Sequence, residues 1–217
     1  MLTFKTAIIV GLVLSAVGFI ISAVYWPHLP DPMVTHWDAH GTPNGHGSRI
    51  VGALLMPAMI ALFGLMFALL ARISPVGFGL RQFEDSVAVI AIALQIFLLV
   101  IHVITLRAAR TGAPLQGEWM LLGIGALFAV MGNRFGKVRR NFFIGIRTPW
   151  TLADEEVWLR THRLAGKLFV FAGLFTMALA LVPYAMLAMI PALLVAGLVP
   201  VIYSFIVYRQ LHPGARA

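Results

Sequence analysis

Four of the seven histidines of this 217-residue chain fall in one stretch, Pro27–Arg49, which reads PHLPDPMVTHWDAHGTPNGHGSR. His28, His36, His40 and His46 stand there with Asp31 and Asp38. Neutral imidazoles and carboxylates suit zinc, so one reading is a metal site drawn from His36, His40, His46 and Asp38, and with it a metalloenzyme. The spacing does not secure it. His36 and His40 are four apart, but Gly41 and Pro43 follow at once, and no Glu stands beside either His as the metalloprotease motif requires. A second set lies in Asn133–Lys167, where Glu156 and His162 could serve as acid and base only if a substrate pocket met them. Arg147, Glu156, His162 and Arg163 could equally bind an anion or a partner. A third pair, Gln95 and His102, is seven residues apart and faces one way along a helix. It would suit a proton relay or transport site, or plain hydrogen bonding between helices.

The elements that carry these residues are apolar blocks. Hydrophobic residues make up 60% of the chain and charged residues 11%, against about 25% charged in an average soluble domain; the mean hydropathy is +0.92. Thr6–Trp26, Ile50–Ala71, Ser86–Leu106 and Pro114–Gly132 each run nearly uncharged for about 20 residues, enough to cross a bilayer core. Leu168–Tyr208 is uncharged throughout and would be roughly 60 Å long as one helix, so it must hold two. The expectation is an all-α polytopic transmembrane bundle of about six spans, with the break between the last two inside 183–191, at Pro183-Tyr184 or before Pro191. Soluble, fibrous and disordered classes are excluded. The first block is too long for the core of a secretory signal and lacks a small-x-small cleavage pattern, so it reads as a retained span. No cysteine is present, which excludes disulfides, thiolate chemistry and Cys-based metal or iron–sulfur sites.

The net charge of +8 is mainly an orientation signal. With the N-terminus inside, thirteen of the sixteen Lys and Arg fall on the inner side, and only Arg49, Arg107 and Arg110 fall outside. The positive-inside rule then places both termini in the cytoplasm. The 134–140 cluster would also attract anionic lipid headgroups. No nucleic-acid-reading motif accompanies the basic residues, so direct nucleic-acid binding is not expected. All eight carboxylates avoid the middles of the spans. Coupled transporters usually keep ionisable groups there, and a small-molecule or ion transporter would have to rely on Gln95 and His102.

Everything polar is thereby confined to two segments. In the outer loop 27–49, four Pro and three Gly favour extended and turn conformations, with a turn expected at Pro43-Asn44-Gly45. It forms either a cap over the helix ends, with Trp26 and Trp37 at the lipid–water boundary, or a pH-sensitive surface for an external ligand. In the inner segment 133–167, Asn141–Trp150 suits the membrane interface, its Arg147 reaching phosphates or backbone carbonyls. Thr151 then reads as a capping-box start for a helix with Glu156→Arg160 on one face and Trp158 and His162 on another. The chain divides into residues 1–132, four spans with the outer loop, and 133–217, the inner segment with two spans.

The stretch Asn141-Phe-Phe-Ile-Gly145-Ile-Arg147-Thr-Pro149-Trp150-Thr151, followed by Glu156, Trp158, Thr161-His162-Arg163 and Gly166, closely resembles the signature of the SdpI family of bacterial membrane proteins. The outer loop is similar to the domain often found at the N-terminus of that family, through His36-Trp37, Gly41, Pro43 and Gly47-Ser48. Asp38, Asn44-Gly45-His46 and Arg49 depart from that pattern. The resemblance implies a non-enzymatic immunity protein of the bacterial cytoplasmic membrane, without a cofactor, that binds or neutralises a secreted membrane-active peptide. It further implies that His36, Trp37, Gly41, Pro43 and Ser48 engage the external ligand. Asn141, Gly145, Arg147, Pro149, Trp150, Glu156, Trp158, His162 and Arg163 would fix the architecture and meet a cytoplasmic regulatory protein.

Overall fold

The structure is a computed structural model and describes residues 1–115, 117–182 and 185–214. Six long helices carry the chain: α1 (Phe4–Tyr25), α2 (Arg49–Ile73), α3 (Glu84–Thr111), α4 (Gly117–Phe135), α6 (Glu155–Leu179) and α7 (Met189–Leu211). A hairpin, β1 (Met33–Trp37) and β2 (Pro43–Gly47), joins α1 to α2, and the short helix α5 (Pro149–Ala153) precedes α6. Among the described residues, five helical segments are long and apolar enough to cross a membrane. The expected fourth span, α4, is the exception. It is 19 residues long, and Glu118, Asn133 and Arg134 near its ends reduce its apolar length. The break between the last two spans is bounded by Leu179 and Met189, with Pro191 in the first turn of α7; Pro183-Tyr184 lies outside the described residues.

Burial runs opposite to that of a soluble bundle. On α1 the buried positions are Ala7, Gly11, Ser15, Gly18 and Ser22 after Phe4, whereas Ile9, Leu12, Val13, Ile20 and Val24 are exposed. Small residues let helix backbones approach, and large apolar ones face lipid, where no hydrophobic gain comes from hiding them. The same rule sets the tightest contact, α4 against α6. Gly125 lies against Gly173 and Gly132 against Gly166, and a Cβ on Gly132 would come within 2.7 Å of the Gly166 carbonyl oxygen.

Polar groups inside the bundle are used to mend helices. Pro57 within α2 has no N–H, so the carbonyl of Ala53, four residues earlier, loses its helical donor. The Ser22 hydroxyl of α1 reaches that oxygen at 2.6 Å, and Ser15 donates to the Pro57 carbonyl at 2.8 Å. His102 Nε2 donates to Ser22 Oγ at 2.9 Å and faces the Gly18 carbonyl at 3.3 Å. Of the pair on α3, His102 thus joins helices as a packing bond, whereas the buried amide of Gln95 has no hydrogen-bond partner among the described residues, wedged between Gly11 and Gly64.

Helices α1, α2 and α3 pack on one another, α6 packs between α4 and α7, and the two halves meet along α3 and α4. The start of α1 and the end of α7 lie at one end of the bundle. There Leu2 and Phe4 N–H, unpaired at the start of α1, donate to Asp85 and Glu84 of α3, and Arg134 of α4 pairs with Asp85 at 2.9 Å. The hairpin caps the other end.

Candidate functional site

The hairpin turns earlier than its Pro-Asn-Gly suggests. Pro43, Asn44 and Gly45 belong to strand β2, and the chain reverses at 38–42. Asp38 makes the reversal: its carboxylate accepts from His40 N–H at 2.8 Å and Thr42 N–H at 2.9 Å, and Gly41 takes φ 80°. Short-range bonds from an Asx side chain outcompete the downstream Asn-Gly, which pairing with β1 holds extended. Those two donors, Thr42 first and then His40, hold the Asp38 carboxyl below the usual carboxylate range. Met33, fully buried, pegs the hairpin into a cluster with Leu29, Ala53, Leu106 and Ala109. Gly41 carbonyl accepts from Leu115 N–H at 2.9 Å, which joins the turn to the α3–α4 connection. Arg49 lies 4.5 Å over the Trp26 ring.

Among the residues expected to meet a ligand here, His36 is exposed on β1 and its Nδ1 lies 2.5 Å from Asn44 Oδ1 across the strands. Trp37 is half-buried. Pro43 opens β2, and Ser48 caps α2 by accepting from Val51 N–H at 3.4 Å. His36, His40, His46 and Asp38 do not converge. No group of three His, Asp or Glu side chains placed to hold a metal occurs among the described residues.

At the other end the inner segment folds around two buried side chains. Asn141, fully buried, uses its whole hydrogen-bonding capacity. Its Nδ2 donates to the Arg139 and Ile144 carbonyls at 2.8 and 3.0 Å, and its Oδ1 accepts from Phe143 and Ile144 N–H at 2.8 and 2.7 Å. His162 is also buried. Its Nδ1 donates to the Trp158 carbonyl at 2.9 Å, and its Nε2 accepts from Ile146 N–H at 3.0 Å. Partners of fixed polarity on both nitrogens select the neutral ring with the proton on Nδ1. Trp158 stacks on this ring at 4.0 Å and donates from Nε1 to the Val138 carbonyl at 2.8 Å. Gly145, at φ 110°, passes the ring where no side chain fits.

The cap residue differs from the expected Thr151. Thr148 caps α5 and Thr151 is its third residue, the two bonding reciprocally; a separate residue, Asp154, caps α6 by accepting from Val157 N–H at 2.9 Å. Pro149 fits the first position of α5, and the extended backbone of Asp154 separates α5 from α6. Thr148 Oγ1 meets Ser204 Oγ of α7 at 3.0 Å, Trp150 packs against Phe205 at 5.0 Å, and His212 Nε2 meets Asp154 Oδ2 at 2.9 Å. These contacts tie α7 to the inner segment. The Val157 N–H and then the His212 imidazole keep the Asp154 carboxyl below its ordinary value.

The remaining expected residues lie at the surface and do not meet. Arg147 donates to the Phe142 carbonyl, the backbone option of the two expected for it. Glu156 pairs with Arg160 at 2.7 Å, so Arg147 and Glu156 form no pair, and Arg163 is exposed. His162, with both nitrogens engaged, is not placed to act with Glu156 as acid and base. The sequence does not single out Thr148, Ser204, His212 or Ser22. Thr148-x-x-Thr151 is a visible capping signal, but the roles of the others depend on helices distant in the chain.

The alternation of buried small and exposed large residues over long helices, with polar chemistry held at the two ends, defines a polytopic helical membrane protein. Residues 137–204 match the SdpI/YfhL protein family, and residues 13–61 match a domain of unknown function, DUF1648. Over residues 137–204 the chain is thus similar to the SdpI family. It is 24% identical over 213 residues to the immunity protein SdpI of Bacillus subtilis (strain 168), covering 96% of this chain and 98% of that one. No solved structure matches.

Proposed function

We propose that this chain is an SdpI-like, non-enzymatic immunity protein of the bacterial cytoplasmic membrane, which gives resistance to a secreted membrane-active peptide. The observation that carries the reading is similarity along 96% of the chain to a protein named for immunity. The geometry supports a division of labour. The hairpin end presents Thr35, His36, Asn44 and His46 to its surroundings on a sheet pegged by Met33, a rigid surface suited to an external peptide. The inner segment is satisfied internally at Asn141, Trp158 and His162 and serves as scaffold. Exposed Arg147 and Arg163 are the side chains available there to a cytoplasmic regulatory partner, in the orientation that the basic residues favour.

Expression in a sensitive bacterium challenged with candidate secreted peptides tests this. Wild type should protect against at least one peptide, and His36→Ala should lose protection while accumulating normally. Failure to protect against any peptide overturns the immunity reading.

A further inference from the structure

The two halves of the bundle close on each other differently at their two ends. Where α1 starts and α7 ends the seam is filled: Trp158 of α6 shares one buried cluster with Val87, Ala88 and Ala91 of α3, and Arg134 pairs with Asp85. At the hairpin end a groove of about 490 Å³ lies against α3, the start of α4 and their connection. Leu99, Val100, Val103 and Ile104 line its depth, Arg107 stands one turn nearer the helix end, and Trp119 forms part of its wall. Val100 and Trp119 are 39% and 54% exposed, so the groove opens sideways to the bilayer. Arg107 is exposed, and its guanidinium makes no hydrogen bond or ion pair among the described residues.

We infer that this groove is a binding site for one anionic phospholipid of the leaflet at the hairpin end, its acyl chain along α3 and its phosphate at Arg107. An apolar channel parallel to a membrane helix suits a hydrocarbon chain. A free cation at the end of that channel, at headgroup depth, supplies the charge complement. The connection that walls the groove is bonded to the hairpin through Leu115 and Gly41, so an occupied groove would brace the hairpin. The inference does not rest on the immunity reading.

Trp119 makes the site measurable. The full chain is reconstituted in phosphatidylcholine vesicles holding increasing fractions of phosphatidylglycerol or phosphatidylcholine with brominated acyl chains. The quenching lost in Trp119→Phe isolates the Trp119 signal. Brominated phosphatidylglycerol should quench it at about a fivefold lower mole fraction than brominated phosphatidylcholine, the preference expected from one cation near the surface. Arg107→Gln should abolish the preference, and Arg107→Lys should retain it. Equal quenching by both lipids, or a preference that survives Arg107→Gln, overturns the site. Quenching by neither also overturns it and indicates a protein occupant, either a second copy or a peptide.

Discussion

Gly145 and His162 share one volume: a Cβ on Gly145, which sits at φ 110°, would overlap His162 Nε2. The loop therefore threads past the imidazole as bare backbone, and this close passage lets Ile146 N–H reach Nε2. Gly145→Ala should cost about 2–4 kcal/mol, combining a left-handed backbone with overpacking. The thermal midpoint in detergent measures it; a variant as stable as wild type would show that the loop does not pass the ring so closely.

Buried and exposed members of the inner signature should separate in stability assays. His162→Ala empties a buried site and leaves the Ile146 N–H unpaired, at about 3–5 kcal/mol. Arg147→Ala removes an exposed side chain and should change stability by less than about 1 kcal/mol. If Arg147→Ala abolishes protection at normal stability and abundance, its role is in recognition rather than folding.

Ser22 and Pro57 form a pair whose coupling has a definite sign. Ser22→Ala strands the Ala53 carbonyl and should cost about 1–3 kcal/mol. Pro57→Ala restores a backbone N–H that can reach that same carbonyl, so Ser22→Ala should cost clearly less in the Pro57→Ala background. A double-mutant cycle on thermal or denaturant unfolding gives the coupling, and additive effects would reject the pairing.

At its glycines the α4–α6 seam has no room for a side chain. A Cβ on Gly166 would lie 2.8 Å from the Gly132 carbonyl oxygen, so Gly166→Ala should destabilise by about 1–3 kcal/mol. Gly197→Ala on α7, where no atom lies near a built Cβ, should be neutral or slightly stabilising. Measuring the two variants side by side tests helix approach against helix propensity.

Asp154 supplies a pH dependence with a known direction. Its folded carboxyl is held below the ordinary value, by Val157 N–H foremost. Its contribution is therefore fully present above the usual Asp range near about 4 and is lost as pH falls through the lowered folded value. Asp154→Asn keeps a cap acceptor but removes the charge. The stability gap between wild type and Asp154→Asn should be open at neutral pH and close on acidification, as followed by unfolding midpoints across pH. A gap independent of pH would remove the carboxylate from the account.

By itself the sequence determined the membrane class, the all-α polytopic bundle and the confinement of polar chemistry to two segments, while its expected fourth span, α4, falls short of a membrane-crossing apolar run. Each follows from local quantities: the length of an apolar run, the distribution of Lys and Arg, and the spacing of Trp158 from His162. It misplaced the hairpin turn because two turn signals compete within ten residues, and pairing with β1 holds the second extended. It read one cap where there are two, because Thr148 and Asp154 act on separate helices divided at the extended backbone of Asp154. Tertiary structure alone decided which neighbours satisfy which groups. Ser22 answers a carbonyl freed by Pro57 on another helix, Ile146 and Trp158 together set the tautomer of His162, and the seam between the halves closes at Trp158 but stays open at Arg107. Those outcomes depend on helices that meet only after folding. A bilayer supplies no water to satisfy a stranded polar group, so each buried group at such a meeting depends on the partner the fold brings to it.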